Sequence, residues 1–266
     1  MSLSNYAESA LLQHLLGQAT YTPATTLYVA LATADPTEAA TGAAMNEVAN
    51  SGNYARTAVT FPAAASGSIA NSAQVNFPQA SAAWGTVTHY AIVDNATYGS
   101  GNVLAYGALS ASQTVNANNT PYIVAGDITV DRGGALSNYL ANALLDFAFR
   151  NQAFSAPANF YVGLSTVTLD QTDTGTSATE PSGNGYARTS ITAWDAESGG
   201  ASANTNQTDI GPATGSWGTP LSAFVADAST LGNILFWADV PVGDQQAVGN
   251  GDTWRYAAGA ITVSLA

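Results

Sequence analysis

One ordered set of short motifs occurs twice in this chain at a constant spacing, and nothing else limits its fold as strongly. Leu3-Ser4-Asn5-Tyr6, Ala10-Leu11-Leu12 and Leu27-Tyr28-Val29-Ala30-Leu31 return as Leu136-Ser137-Asn138-Tyr139, Ala143-Leu144-Leu145 and Phe160-Tyr161-Val162-Gly163-Leu164. The shift is 133 throughout (136 − 3 and 164 − 31). Further on, Tyr54-Ala55-Arg56-Thr57 answers to Tyr186-Ala187-Arg188-Thr189, Trp84-Gly85-Thr86 to Trp217-Gly218-Thr219, and Asp94 to Asp227. Gly126 with Ile128-Thr129-Val130 returns as Gly259 with Ile261-Thr262-Val263. The shift wanders by a residue or two between landmarks and then recovers, as it does when loops vary and the elements between them do not. The chain therefore reads as two homologous domains, 1–131 and 135–266, joined by a short seam at 132–134. Each is near the commonest domain size.

A domain of this length can bury a core without staples, and 46% hydrophobic residues including 25 aromatic side chains supply one. With no cysteine, disulfides, thiolate metal sites and cysteine nucleophiles are excluded. Eighteen acids face five arginines and no lysine, for a formal net charge of -13. Such a surface repels phosphate backbones and anionic lipids, so neither nucleic acid nor membrane is an expected partner. Yet only 9% of residues are charged, against ~25% in ordinary domains. The surface must be covered by Ser, Thr, Asn, Gln, Gly and Ala, a neutral coat suited to permanent contacts or an exterior setting; compositional bias of the source gives the same pattern. No run approaches the ~20 apolar residues of a membrane span. The opening Met-Ser-Leu-Ser-Asn lacks the basic start and apolar stretch of a secretory signal, and its Leu-Ser-Asn recurs inside the chain.

The first helix is expected over Ser4 to Gly17. Ser4 can cap it, Tyr6, Ala10, Leu11 and Leu15 share one face, and Gly17 suits a left-handed stop. Ser137 repeats the cap, and the second helix ends at Arg150 and Asn151. Thr26–Thr33, Tyr54–Phe61, Ala73–Phe77, Val87–Asp94, Val103–Leu109 and Tyr122–Val130 read as strands, separated by Gly, Asn, Ser and Pro clusters. This predicts a mainly β fold with one helix per domain, an antiparallel β-sandwich or flattened barrel used twice in tandem. Long loops, Asp35 to Gly52 and Asp170 to Gly185, interrupt each domain, and loops of that length are usually functional or contact-making.

Residues that recur are the best candidates for a site. Arg56 with Arg188 and Asp94 with Asp227 fit either a ligand site or an ion pair with loop-closing hydrogen bonds, and the second reading is expected. Tyr54 and Tyr186 precede the arginines. Trp84 and Trp217 are expected to plug one end of the core, an exposed sugar platform being the alternative. His14 and His89 have Phe147 and Ser222 as counterparts, which fits packing better than metal binding. Among the loop acids Asp35, Glu38, Glu47, Asp170, Asp173 and Glu180, none is expected to keep a fixed counterpart, so solvated acids or contact loops are expected rather than a glycosidase pair. Asp170 to Gly175 lacks the spacing of a helix-loop-helix calcium loop. Phosphate-binding, nucleophile-elbow and dinucleotide motifs are missing as well. No cofactor is expected.

The ordered set Leu-Ser-Asn-Tyr, Ala-Leu-Leu, Tyr-Val-Gly/Ala-Leu, Gly-Tyr-Ala-Arg, Trp-Gly-Thr and Gly-Asp/Ala-Ile-Thr-Val, read here once per domain, resembles a family of small tailed-bacteriophage virion proteins labelled tail-fibre or minor tail proteins. The resemblance covers nearly the whole chain. It implies a non-enzymatic structural protein of the virion, assembled in the host cytoplasm, with major capsid or tail proteins as partners in an oligomer or lattice. A surface decoration or cement-like protein is the expected role. The alternative is a tail-fibre or baseplate component that binds a host receptor or glycan.

Overall fold

The structure, a computed structural model, describes residues 1–131 and 135–265; the expected seam at 132–134 lies outside them. The first half comprises β1 (Ser2–Leu3), α1 (Asn5–Leu15), β2 (Leu27–Ala32), β3 (Thr57–Val59), β4 (Ser68–Ala70), β5 (Val75–Asn76), β6 (Gly85–Val93), β7 (Val103–Val115), β8 (Tyr122–Ile123) and β9 (Thr129–Asp131). The second repeats it as α2 (Asn138–Arg150), β10 (Phe160–Ser165), β11 (Thr189–Ile191), β12 (Ala201–Ala203), β13 (Thr208–Ile210), β14 (Ser222–Ala226), β15 (Ile234–Asp239), β16 (Trp254–Tyr256) and β17 (Thr262–Ser264). The chain is thus mainly β, in two tandem repeats with a helix each.

Each main sheet runs in the same order, β1-β7-β6-β2-β3 in the first half and β15-β14-β10-β11 in the second, with two short ladders beside it. Every ladder among the described residues is antiparallel. The flattened barrel is not formed: no sheet closes on itself among the described residues. The short ladders instead add Ile69, Val75, Ile123 and Val130 to the core that the main sheet shares with the helices. The expected strand Tyr122–Val130 splits in two, because Gly126 turns the chain at φ +87°. β1 and β4 had no period to betray them, being two and three residues long.

Both helices start and stop as their sequences dictate. The Ser4 hydroxyl accepts from the Ala7 N–H and donates to the Val103 carbonyl, so one buried side chain caps α1 and pins it to β7. Ser137 repeats this, accepting from Leu140 N–H at 3.2 Å and donating to the Ile234 carbonyl at 2.5 Å. Just past the helices, Gly17 and Asn151 take the left-handed conformation.

The helices also reach across the duplication. α1 packs on β12 of the second half and α2 on β4 of the first, which relates the halves by an approximate two-fold. Equivalent residues meet near its axis: the rings of His14 and Phe147 lie 4.6 Å apart, flanked by Tyr21 at 5.6 Å from Phe147 and Phe154 at 6.0 Å from His14. His14 accepts from the Tyr21 N–H through Nδ1 and donates from Nε2 to the Phe154 carbonyl, so both ring nitrogens serve packing. One hydrophobic cluster runs through both halves.

The polar contacts of the two crossings run in opposite senses. On one side Ser9 and Gln13 of α1 donate to the Glu197 carboxylate at 2.7 and 3.0 Å. On the other, Asn142 and Asp146 of α2 accept from the backbone N–H groups of Gly67 and Ala64, each at 2.8 Å. At the first crossing Gly200 takes a left-handed φ of +74°, which suits glycine, beside the Glu8 side chain.

Replacing Phe147 with Ala removes the ring at the centre of this seam. The expected cost is about 3–5 kcal/mol, and calorimetry should show the thermal midpoint of the whole chain falling by roughly 10 °C, because both halves share the core.

Candidate functional site

The recurring polar residues gather at one end of each half, where the long loops leave β2 and β10. Arg56 immediately precedes β3 and its side chain is 0% exposed. Its Nε and Nη2 grip the two oxygens of Glu47, each at 2.8 Å. Its remaining donors go to the carbonyls of Gly42, Asn95 and Ser100 at 2.8, 2.9 and 2.8 Å. All five guanidinium donors are therefore used. One cation ties together the loop after β2 and the loop between β6 and β7.

Arg188 repeats the arrangement before β11. It pairs with Glu180, with Nη2 to Oε1 at 2.6 Å, and donates to the carbonyls of Gly175, Ala228 and Leu231. The pairing of Glu47 with Glu180 corrects the expectation that no loop acid keeps a counterpart. They stand 133 apart (180 − 47), and they are clamped acids, with side chains 5% and 21% exposed. Glu47 stands between Asn46 and Val48 and Glu180 between Thr179 and Pro181, so no flanking identity marks the pair in the sequence. Gly42 and Gly175 recur at the same spacing. Both allow a close backbone crossing, since a Cβ would lie 2.1 Å from the Ser100 carbonyl oxygen and 1.9 Å from that of Leu231.

Tyr54 and Tyr186 complete the clamps. The Tyr54 hydroxyl donates to Glu47 and accepts from the Leu31 N–H, both at 2.9 Å; Tyr186 does the same with Glu180 and Leu164 at 2.8 Å. Burial is the main reason both phenols are pushed well above their ordinary value, so they remain protonated donors. Trp84 and Trp217 pack edge-on against these tyrosines at 5.2 and 5.3 Å. Their indole N–H groups donate to Gly52 and Asn184, and both are buried. Asp94 and Asp227 each accept from the backbone and side-chain N–H groups of one asparagine, Asn102 or Asn233, at 2.7 to 2.8 Å. These carboxylates close the turns that the arginines hold from the other side.

The other loop acids lie apart from the clamps. Asp35 accepts from Thr37 N–H, and the Glu38 carbonyl, not its carboxylate, receives the Asn5 N–H. Asp170 accepts from the Thr172 side chain and backbone, which hold its carboxyl below the usual range. Asp173 accepts from Asp170 N–H and Ser177 hydroxyl. His89 shares a hydrogen bond with the Thr88 hydroxyl through Nδ1. Among the described residues no group of three or more His, Asp or Glu is placed to hold a metal ion, and no helix is long and apolar enough to cross a membrane.

Arg56→Ala strands the Glu47 carboxylate in the interior and should cost about 3–5 kcal/mol; Arg188→Ala should cost less, since Glu180 keeps more contact with water. Arg255→Ala, which breaks a pair whose arginine is 58% exposed, should leave the melting midpoint unchanged in the same calorimetric series. Glu8 gives a pH test. Burial, then the neighbouring Glu38 and Glu197 carboxylates, raise its pKa. A carboxyl whose folded value is raised favours the fold below its unfolded value and loses that contribution as pH rises through the folded one. Glu8→Gln should therefore melt higher than the parent at pH 7, with the difference vanishing near pH ~4.

Among curated proteins no match reaches significance. One family model, described as podophage GP4 fiber I protein gp80, matches twice, at residues 2–131 and 135–264. The two matches coincide with the two halves, and the chain belongs to that family, a family of fibre-type structural proteins of bacteriophage virions.

Proposed function

We propose that this chain is a non-enzymatic structural module of a podophage fibre, held in an assembly of tail proteins through its two loop-bearing ends. The observation that carries the reading is the family match over both halves. The clamps support it: the recurring Arg, Glu, Tyr and Asp side chains spend their hydrogen bonds on fixing long loops, which leaves those loops as rigid contact surfaces. Two clamped ends related by an approximate two-fold give one chain two similar docking faces. The family description favours the fibre over the decoration or cement role expected at first, in which the major capsid protein would be the partner.

The test is to add the purified chain to virions that lack it and image them by cryo-electron microscopy with localised averaging. Density confined to the tail or its fibres is the expected result. Regular density over the capsomers would overturn the fibre reading and restore the decoration one.

A further inference from the structure

The two halves differ at several buried positions, and one of these differences leaves a pocket. In the first half Tyr90 pairs with Leu31 in the sheet, is 3% exposed and donates its hydroxyl to the Asp127 carbonyl at 3.2 Å. In the second half the residue paired with Leu164, the counterpart of Leu31, is Ala223. Ala260 stands where Asp127 stood, one residue before the shared Ile. The second half has thus lost a phenol ring and kept the backbone that received it.

Neighbouring exchanges do not refill the space. Phe236 replaces Ala105, since it pairs with Val225 as Ala105 does with Ile92. Tyr256 replaces Ile123, pairing with Thr208 as Ile123 does with Val75. A cavity of about 120 Å³ remains, lined by Val162, Ala223, Phe236, Trp237, Tyr256 and Ala260 among others. Cavities of roughly 150 Å³ with apolar walls accept benzene.

We propose that this cavity in the second half is a binding site for a single hydroxylated aromatic ring of the 4-alkylphenol class. The ring fills the volume that Tyr90 fills in the first half, between β14, β15 and the turn before β17. Its hydroxyl takes the place of the Tyr90 hydroxyl on the Ala260 carbonyl. A tyrosine side chain of another polypeptide and a free phenolic molecule carry the same chemistry.

The probe is p-cresol, titrated into the full chain and followed by ligand-observed NMR and thermal midpoint. One saturable equivalent that raises the midpoint is expected, with toluene binding at least fivefold more weakly for want of the hydroxyl. Ala223→Tyr should abolish binding by restoring the missing ring. Ala223→Leu, a smaller plug, serves the same purpose if the tyrosine does not fit, and should weaken binding at least tenfold. Tyr90→Ala should open the equivalent site and raise the stoichiometry from one to two. The proposal is overturned if p-cresol gives no saturable effect, if Ala223→Leu binds it as the parent does, or if toluene binds equally well. Sedimentation of the protein alone separates the sources. Self-association that Ala223→Leu loses assigns the ring to a tyrosine of a second copy, whereas a monomer that binds p-cresol assigns it to a free phenolic molecule.

Discussion

Neither half of this protein covers its own core. Each main sheet is open, and each helix lies partly on the other half, so the contact of His14 with Phe147 and the crossings of α1 over β12 and α2 over β4 hold the two repeats as one body. The constraint is geometric. An open sheet exposes an apolar face that a single short helix cannot span, and a second copy related by a two-fold supplies what is missing. The linked tandem arrangement makes that partner permanently available, at an effective concentration no separate chain could match.

The crossings also make the halves complementary to each other rather than to themselves. α1 presents donors to the Glu197 carboxylate, while α2 presents the Asn142 carbonyl and Asp146 carboxylate to backbone N–H groups. Two second halves brought together in the same way would set Asp146 against Glu197, one carboxylate facing another. Like-charge juxtaposition of this kind rejects the wrong pairing. The same divergence reaches the core, where Ala30 with Ala91 in one half becomes Gly163 with Phe224 in the other. A Cβ on Gly163 would lie 2.5 Å from the Phe224 ring, so the glycine is there to admit the ring.

Against that divergence the clamps are the conservative part. Arg56 and Arg188 donate to equivalent partners, one carboxylate and three carbonyls, at distances that differ by a few tenths of an ångström, and each carboxylate also holds a tyrosine. A buried ion pair of this kind adds little net stability but is costly to break. Its effect is to give each of two long loops one conformation. For a fibre component that is the useful property, since a contact surface that must be ordered on docking loses affinity to entropy.

The duplication, the two capped helices, the antiparallel β character and the identity of Arg56, Arg188, Tyr54, Tyr186, Trp84 and Trp217 as a recurring set were all legible in the chain. Each rests on local pattern or on self-comparison, which a sequence displays directly. The role of Glu47 and Glu180 is not legible there, because burial against Arg56 and Arg188 is set by contacts between loops. Open sheets rather than a barrel, the exchange of helices between halves and the cavity left by Ala223 were decided only by the tertiary structure. Strand edges, the burial of a charge and the space around a missing ring depend on which distant residues meet, and spacing along the chain does not encode that.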